Sequence, residues 1–329
     1  LNKKLAVYTK IELEDLLEIL EQYSIGNLIE FSGIKEGIEN TNYYIRTNKG
    51  KFILTIFENR VDDKDIPFFV NIMSHLNKKH FFSPNPIQDN NKNIINEINK
   101  KKFIIVSFLE GKWKSKTNYN DCLKLGKCIA DMHIKTTDFK QTRENSLSIK
   151  GWENLIKSCK TKITEIQLNK FGKDVLCEIE DSFEYCKKNW PTNLPVGLIH
   201  ADIFPDNIFF HKNNISGVID FYFSCTDIIV YEIAIAMNAW CFGENDIFDP
   251  KKASNLIVGY NSKRKLTEEE FDSLSIISQG AALRFLLTRL YDWFNTPKNI
   301  LIAKKNPNEY LNKLRFFKNN KIVNKISLE

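Results

Sequence analysis

The segment His200-Ala201-Asp202-Ile203-Phe204-Pro205-Asp206-Asn207 constrains this chain more than any other. Short apolar runs flank it, at 196–199 on one side and at 208–210 and 215–219 on the other, and the last of them ends in Asp220. Runs of this length read as buried strands. The polar segment between them is therefore a loop that emerges from a core. His211, Lys212, Asn213 and Asn214 connect the second and third runs. Asn tolerates positive φ, which predicts a hairpin turning at Asn213-Asn214. In that register Lys212 pairs with Ile215, and Asn207 stands opposite Asp220 with Cβ atoms roughly 5 Å apart. Asp202 stays in the loop before the hairpin, where it can face a ligand.

An Asp, an Asn five residues on and a strand-end Asp form a donor set suited to phosphoryl transfer onto a hydroxyl. That chemistry needs a carboxylate beside the hydroxyl proton. It also needs hard oxygen ligands, here Asn207 and Asp220, to hold magnesium against the phosphates. Taken singly, Asp202, Asp206, Asn207 and Asp220 are ordinary turn or cap residues; their joint spacing between apolar strands carries the signal. A magnesium-dependent hydrolase would also use acidic ligands, but it has no need of this Asp-to-Asn spacing.

The motif resembles the catalytic loop of the aminoglycoside phosphotransferase and choline kinase superfamily. The likeness extends to one branch through Gly37-Ile38-Glu39-Asn40-Thr41-Asn42-Tyr43, Phe52-Ile53-Leu54-Thr55, Ile219-Asp220-Phe221-Tyr222-Phe223, Asn238-Ala239-Trp240-Cys241-Phe242 and the long run from Gly280 to Trp293. These segments are similar to those of bacterial homoserine kinases. The resemblance implies a bilobal, protein-kinase-like α+β fold. A small antiparallel-sheet lobe would span residues 1–110, and a larger, mostly helical lobe 111–329. It implies ATP-dependent phosphorylation of the side-chain hydroxyl of L-homoserine with Mg2+, a step of threonine biosynthesis. Asp202 would act as the base, and Asn207 and Asp220 as the metal ligands. His200 would support the loop by a hydrogen bond.

Other positions follow from the same resemblance. Gly33 and Gly37 lie in a loop where glycines let backbone N–H groups approach phosphates, although alone they read as a plain hairpin loop. Ser107-Phe108-Leu109-Glu110-Gly111 matches the lobe connector, so the backbone at Ser107 and Leu109 would bind the adenine edge. The second strand of a kinase small lobe normally carries a lysine for the ATP phosphates, paired with a helix glutamate. Here Thr55 stands in that strand, and the helix at 68–76 has no acidic residue. The homoserine kinase branch shares this threonine, and Lys51 and Arg60 are the nearby cations left to supply charge. On the helix near Leu283, Arg284, Thr288 and Asp292 lie four apart on one face. The plain reading is a polar face with an internal ion pair. The functional reading is an acceptor pocket in which Arg284 or Arg289 clamps a carboxylate and Asp292 an ammonium. Tyr222, Trp240 and Trp293 would wall it.

Composition narrows the alternatives. The 329 residues carry a net charge of +6, dispersed through a chain rich in Lys, Asn and Ile, with no basic stripe or reading motif for nucleic acid. No run approaches the ~20 apolar residues that span a bilayer. Residues 1–12 lack an apolar signal core, so a cytoplasmic enzyme acting on small molecules is expected. Seven cysteines, an odd number with no C-x-x-C pair, exclude a disulfide framework or zinc site. The same chemistry on choline, ethanolamine, an aminoglycoside or methylthioribose is the first alternative, although a quaternary ammonium favours an aromatic cage without an arginine clamp. A non-catalytic nucleotide-binding regulatory protein is the second, suggested by Thr55.

Periodicity supplies the remaining expectations. Thr9-x-x-Glu12 reads as a capping box opening a helix to about Tyr23, with Ile11, Leu16, Leu17 and Leu20 buried. Strands are expected at 41–47, 51–58, 93–98 and 103–108. Pro67 opens a helix. Further helices are expected at 121–135, 173–188, 227–241, 251–260, 267–278 and 279–294, with a second capping box at Thr267-x-x-Glu270.

Overall fold

A computed structural model describes residues 9–34, 40–58, 61–162, 170–172, 174–295 and 305–327. The described chain forms two compact units, 9–112 with 209–222, and 113–208 with 223–295 and 305–327. The first therefore ends at Lys112 and also takes in the hairpin expected in the second lobe. The backbones of Lys112 and Phe210 exchange hydrogen bonds. Ser216 Oγ donates to the Glu110 carbonyl at 2.6 Å, and Val218 N–H donates to the Phe82 carbonyl.

The first unit is an antiparallel sheet in the order β1-β2-β3-β5-β4, from β1 (Leu28–Gly33), β2 (Thr41–Thr47), β3 (Gly50–Ile56), β4 (Asn96–Ile98) and β5 (Lys101–Ser107). Burial alternates along β2, whereas the central strands β3 and β5 carry runs of consecutive buried residues, 54–56 and 103–106. Tyr43, Ile45, Leu54, Ile56, Phe103 and Ile105 pack in one cluster with Leu16, Ile19 and Leu20 of α1 (Leu13–Glu21). Pro67 lies in the first turn of α2 (Ile66–Lys78).

Two local expectations are corrected. The first helix is capped by Glu12 and Asp15, because the Thr9 hydroxyl is drawn away to the Glu58 carboxylate at 2.7 Å. The later start rotates the buried face to Leu16, Ile19 and Leu20 and leaves Leu17 exposed. Second, β7 (Ile208–His211) and β8 (Asn214–Val218) are joined at Lys212 and Asn213, which both have positive φ (45° and 67°). The turn thus lies one residue earlier than expected, and it does not generate the 207-to-220 register. Gly33 pairs with Tyr43 inside β1, whereas Gly37 and Arg60 lie outside the described residues.

In the second unit β6 (Val196–Ile199) pairs with β9 (Cys225–Ile228), Ile199 facing Cys225. The described helices are α3 (Tyr119–Lys135), α4 (Ile149–Lys162), α5 (Val175–Asn189), α6 (Val230–Trp240), α7 (Pro250–Asn261), α8 (Glu268–Asp272), α9 (Leu274–Asn295) and α10 (Pro307–Asn319). The expected pair at 267–278 and 279–294 breaks instead at Ser273. Its capping box forms as expected, Thr267 Oγ1 accepting from Glu270 N–H. Residues 230–238 of α6 are all buried, as expected of a helix that is apolar on every side. No described helix is long and apolar enough to cross a membrane.

Helices α3 and α7 meet backbone to backbone. A Cβ on Gly126 would lie 2.0 Å from the Leu256 carbonyl oxygen, and one on Gly259 would lie 2.0 Å from that of Leu123. Main-chain oxygens in two hydrogen-bonded helices cannot yield cheaply. Gly126→Ala and Gly259→Ala should each destabilise the protein by about 1–3 kcal/mol through overpacking. Thermal unfolding measures this; an unchanged midpoint in both variants would refute the tight seam.

Candidate active site

Between β6 and β7 the chain runs through a loop whose peptide groups are nearly all engaged. Ala201 adopts φ 64°, a left-handed conformation costly for a residue with a Cβ. Its N–H donates to both carboxylate oxygens of Glu232 at 3.2 Å, and the His200 N–H donates to the same carboxylate. The Ala201 carbonyl accepts from Arg284 Nη1 at 2.7 Å. Asp202 N–H donates to His200 Nδ1 at 3.3 Å, and Trp240 Nε1 donates to the Ile203 carbonyl at 2.8 Å. Helices α6 and α9 thus grip three residues of the loop, His200, Ala201 and Ile203, through buried side chains. Glu232 and Asp202 are short of compensating charge in this setting. Burial pushes the Glu232 carboxyl up to about 7 against the pull of the Ala201 and His200 N–H groups and Arg284. Burial likewise pushes Asp202 up to about 6, opposed by Arg284 and then Lys305.

Pro205 opens a single 3-10 turn, Pro205–Asn207, that presents Asn207 back to Asp202. Asn207 Nδ2 donates to the Asp202 carbonyl at 2.8 Å and to its Oδ2 at 2.9 Å. Both bonds use the amide nitrogen, so the amide oxygen, the atom a magnesium ion requires, is directed away from Asp202. Asp220 lies in the first unit just beyond β8, at φ 66°. Hard oxygen donors, one amide and one carboxylate, suit magnesium.

The other expected residues fall in several places. Arg284 is 2% exposed and lies beneath the loop, and Trp240 is buried there too. Arg289 pairs with Glu309 at 2.6 Å, donates to the Asn306 carbonyl at 3.1 Å and covers the Tyr310 ring. Asp292 is half-buried on α9. Trp293 packs edge-on against Phe171. Tyr222 belongs to the first unit, edge-on to Phe57 and Phe69. The buried Thr55 hydroxyl donates to Asn42 Oδ1 at 2.8 Å. Lys51 pairs with Glu110 at 2.6 Å. At the connector, Ser107 gives its N–H to the Asn85 carbonyl and receives the Asn85 N–H on its hydroxyl. The β3–β5 ladder ends at Phe52–Ser107, leaving the Leu109 peptide beyond it.

Two neighbours of the loop were missed in the sequence. Glu232 is the only acid within α6, a charge in an otherwise apolar helix, and that contrast was the available signal. Lys305 gave no signal. Its Nζ lies 3.9 Å from Asp206 Oδ2 and 5.1 Å from the Phe204 ring centre.

Residues 30–263 match the model of the phosphotransferase enzyme family. Homoserine kinase of Bartonella henselae is 43% identical over 315 residues, covering 96% of this chain and 97% of that protein. The homoserine kinase of Paramagnetospirillum magneticum is 42% identical over 318 residues, 95% of this chain and 96% of the relative. Among solved structures, amicoumacin kinase in complex with AMP-PNP and Ca2+ aligns with a TM-score of 0.70 at 15% identity, covering 97% of this chain and 95% of the other. Plasmodium vivax ethanolamine kinase aligns with a TM-score of 0.60 at 16% identity, covering 97% of this chain and 98% of the other. Those two likenesses bear on the fold, which is the protein-kinase-like α+β fold. The chain belongs to the phosphotransferase enzyme family and, within it, to the homoserine kinases.

Proposed function

We propose that this chain transfers the γ-phosphoryl group of ATP to the side-chain hydroxyl of L-homoserine, giving O-phospho-L-homoserine for threonine biosynthesis in the cytoplasm. The observation that carries the reading is similarity to homoserine kinases over nearly the whole chain. The clamped Asp202 loop supports the chemistry. The Asp202 carboxylate accepts the hydroxyl proton while the hydroxyl oxygen bonds to the γ-phosphorus and the bond to the ADP leaving oxygen breaks. Asn207, by its amide oxygen, and Asp220 would hold Mg2+. The ion, when bound, neutralises charge on the phosphate oxygens. The Leu109 peptide is the adenine-edge contact, and Gly33 borders the phosphates. Asp292 is the carboxylate for the acceptor's ammonium. The protein contributes mainly position and charge, with little covalent work.

Three outcomes test these roles. Asp202→Asn should cut turnover roughly 10²- to 10⁴-fold while leaving ATP affinity intact; equal loss of both would make Asp202 a metal ligand or a purely structural group. Asp220→Ala should weaken ATP binding in the presence of Mg2+ and leave metal-free ATP binding unchanged, as titration calorimetry would reveal. The base must be ionised to accept a proton, and its carboxyl sits near 6. At low Mg-ATP, kcat/KM should therefore be flat above pH 7 and fall about tenfold per pH unit well below 6. An acid limb near pH 4 would contradict the burial of Asp202.

A further inference from the structure

Phosphoryl transfer to an amino-acid alcohol has two anionic centres to satisfy, the acceptor carboxylate and the terminal phosphoryl group, and both call for cations. The described cations expected from sequence are already engaged. Arg284 Nη1 is bonded to the Ala201 carbonyl. Arg289 is paired with Glu309, and Lys51 with Glu110. Thr55 stands where a strand lysine would be.

Lys305 differs from all of these. It precedes the N-cap of α10, Asn306, whose carbonyl is held by Arg289 Nη1 at 3.1 Å and whose side chain accepts from Asn308 N–H. The backbone next to Lys305 is thereby fixed against α9. Its ammonium reaches the catalytic loop itself, over the Phe204 ring at 5.1 Å, and Phe204 in turn packs edge-on against Phe285 of α9. Among the described residues the nearest carboxylate, Asp206, is 3.9 Å away, beyond hydrogen-bond reach, and both side chains are half exposed. Such a pair holds an ammonium loosely. The ammonium thus lies against residues 204 and 206 of the loop that carries Asp202, and among the described residues its N–H donors are open to a stronger partner.

We propose that Lys305 binds an anionic oxygen of the reactants beside Asp202. The inference rests on the homoserine kinase reading. Two oxyanions share the required chemistry, the acceptor's carboxylate and ATP's terminal phosphoryl group, and 3-aminopropan-1-ol, which is L-homoserine without its carboxylate, separates them.

The experiment compares wild type, Lys305→Met and Lys305→Arg in ADP release with each acceptor, alongside thermal unfolding. Lys305→Met should lower kcat/KM for L-homoserine about tenfold or more, the worth of a charged hydrogen bond. Lys305→Arg should recover part of the loss, and the unfolding midpoint should not move. If the loss is confined to L-homoserine, the carboxylate is the partner. If both acceptors lose equally, it is the phosphoryl group. Unchanged kinetics with both, in an active wild type, would overturn the role of Lys305 alone. So would a loss matched by a lowered midpoint and not recovered by arginine. A wild type inactive on L-homoserine would overturn the substrate reading and this assignment together.

Discussion

The buried carboxylate of Glu232, receiving the N–H groups of His200 and Ala201, is the interaction on which the catalytic loop depends. A left-handed alanine costs on the order of 1–3 kcal/mol and persists only when its surroundings over-determine it. Here they do so from two sides, because Arg284 takes the carbonyl of the same residue. Without Glu232, two adjacent N–H groups would be left buried at about 1–3 kcal/mol each. The arginine would also keep a buried charge with fewer counter-charges. Asp202, the next residue, meets Asn207, so the shape of one peptide connects the apolar interior to the Asp202 carboxylate.

The same arrangement suits a single loop to the two tasks proposed for it. Burial raises the Asp202 carboxyl, which makes it a better proton acceptor when ionised than an exposed carboxylate. Arg284 and Lys305 oppose the rise and keep the ionised form accessible near neutral pH. Asn207 spends its amide nitrogen on Asp202 and so directs its amide oxygen elsewhere. In the proposed roles, proton acceptance and metal holding would divide the two ends of one side-chain amide contact.

Much of this was legible in the chain. The strand β2 follows simple alternation, Pro67 marks the start of α2, and Thr267 with Glu270 marks α8. Failures arose where tertiary partners outbid local signals. Thr9 could cap a helix, yet Glu58 claims its hydroxyl. The β7–β8 turn places Lys212 in a left-handed conformation that asparagine favours more, so propensity pointed one residue too late. Helices α4 and α10 went unread, although Trp152, Ile156 and Cys159 recur at helical spacing and Asn306-Pro307 is a sound start signal. In the candidate site, Asp202, Asn207 and Asp220 could be proposed from the chain because their spacing is local. Glu232 and Lys305 were not, because their relation to the loop exists only after helices distant in sequence pack together.

That dependence has a consequence for biosynthesis. The grip on Ala201 is completed by Arg284, 83 residues further along the chain. Helix α6, which supplies Glu232 and Trp240, has almost no face that water could cover. A nascent polypeptide that has already emerged through Asn207 cannot yet hold Ala201 from both of its sides. The clamp on this peptide therefore closes only once α9 has been made, and a chain that stops short of Arg284 lacks the half of it that holds the Ala201 carbonyl.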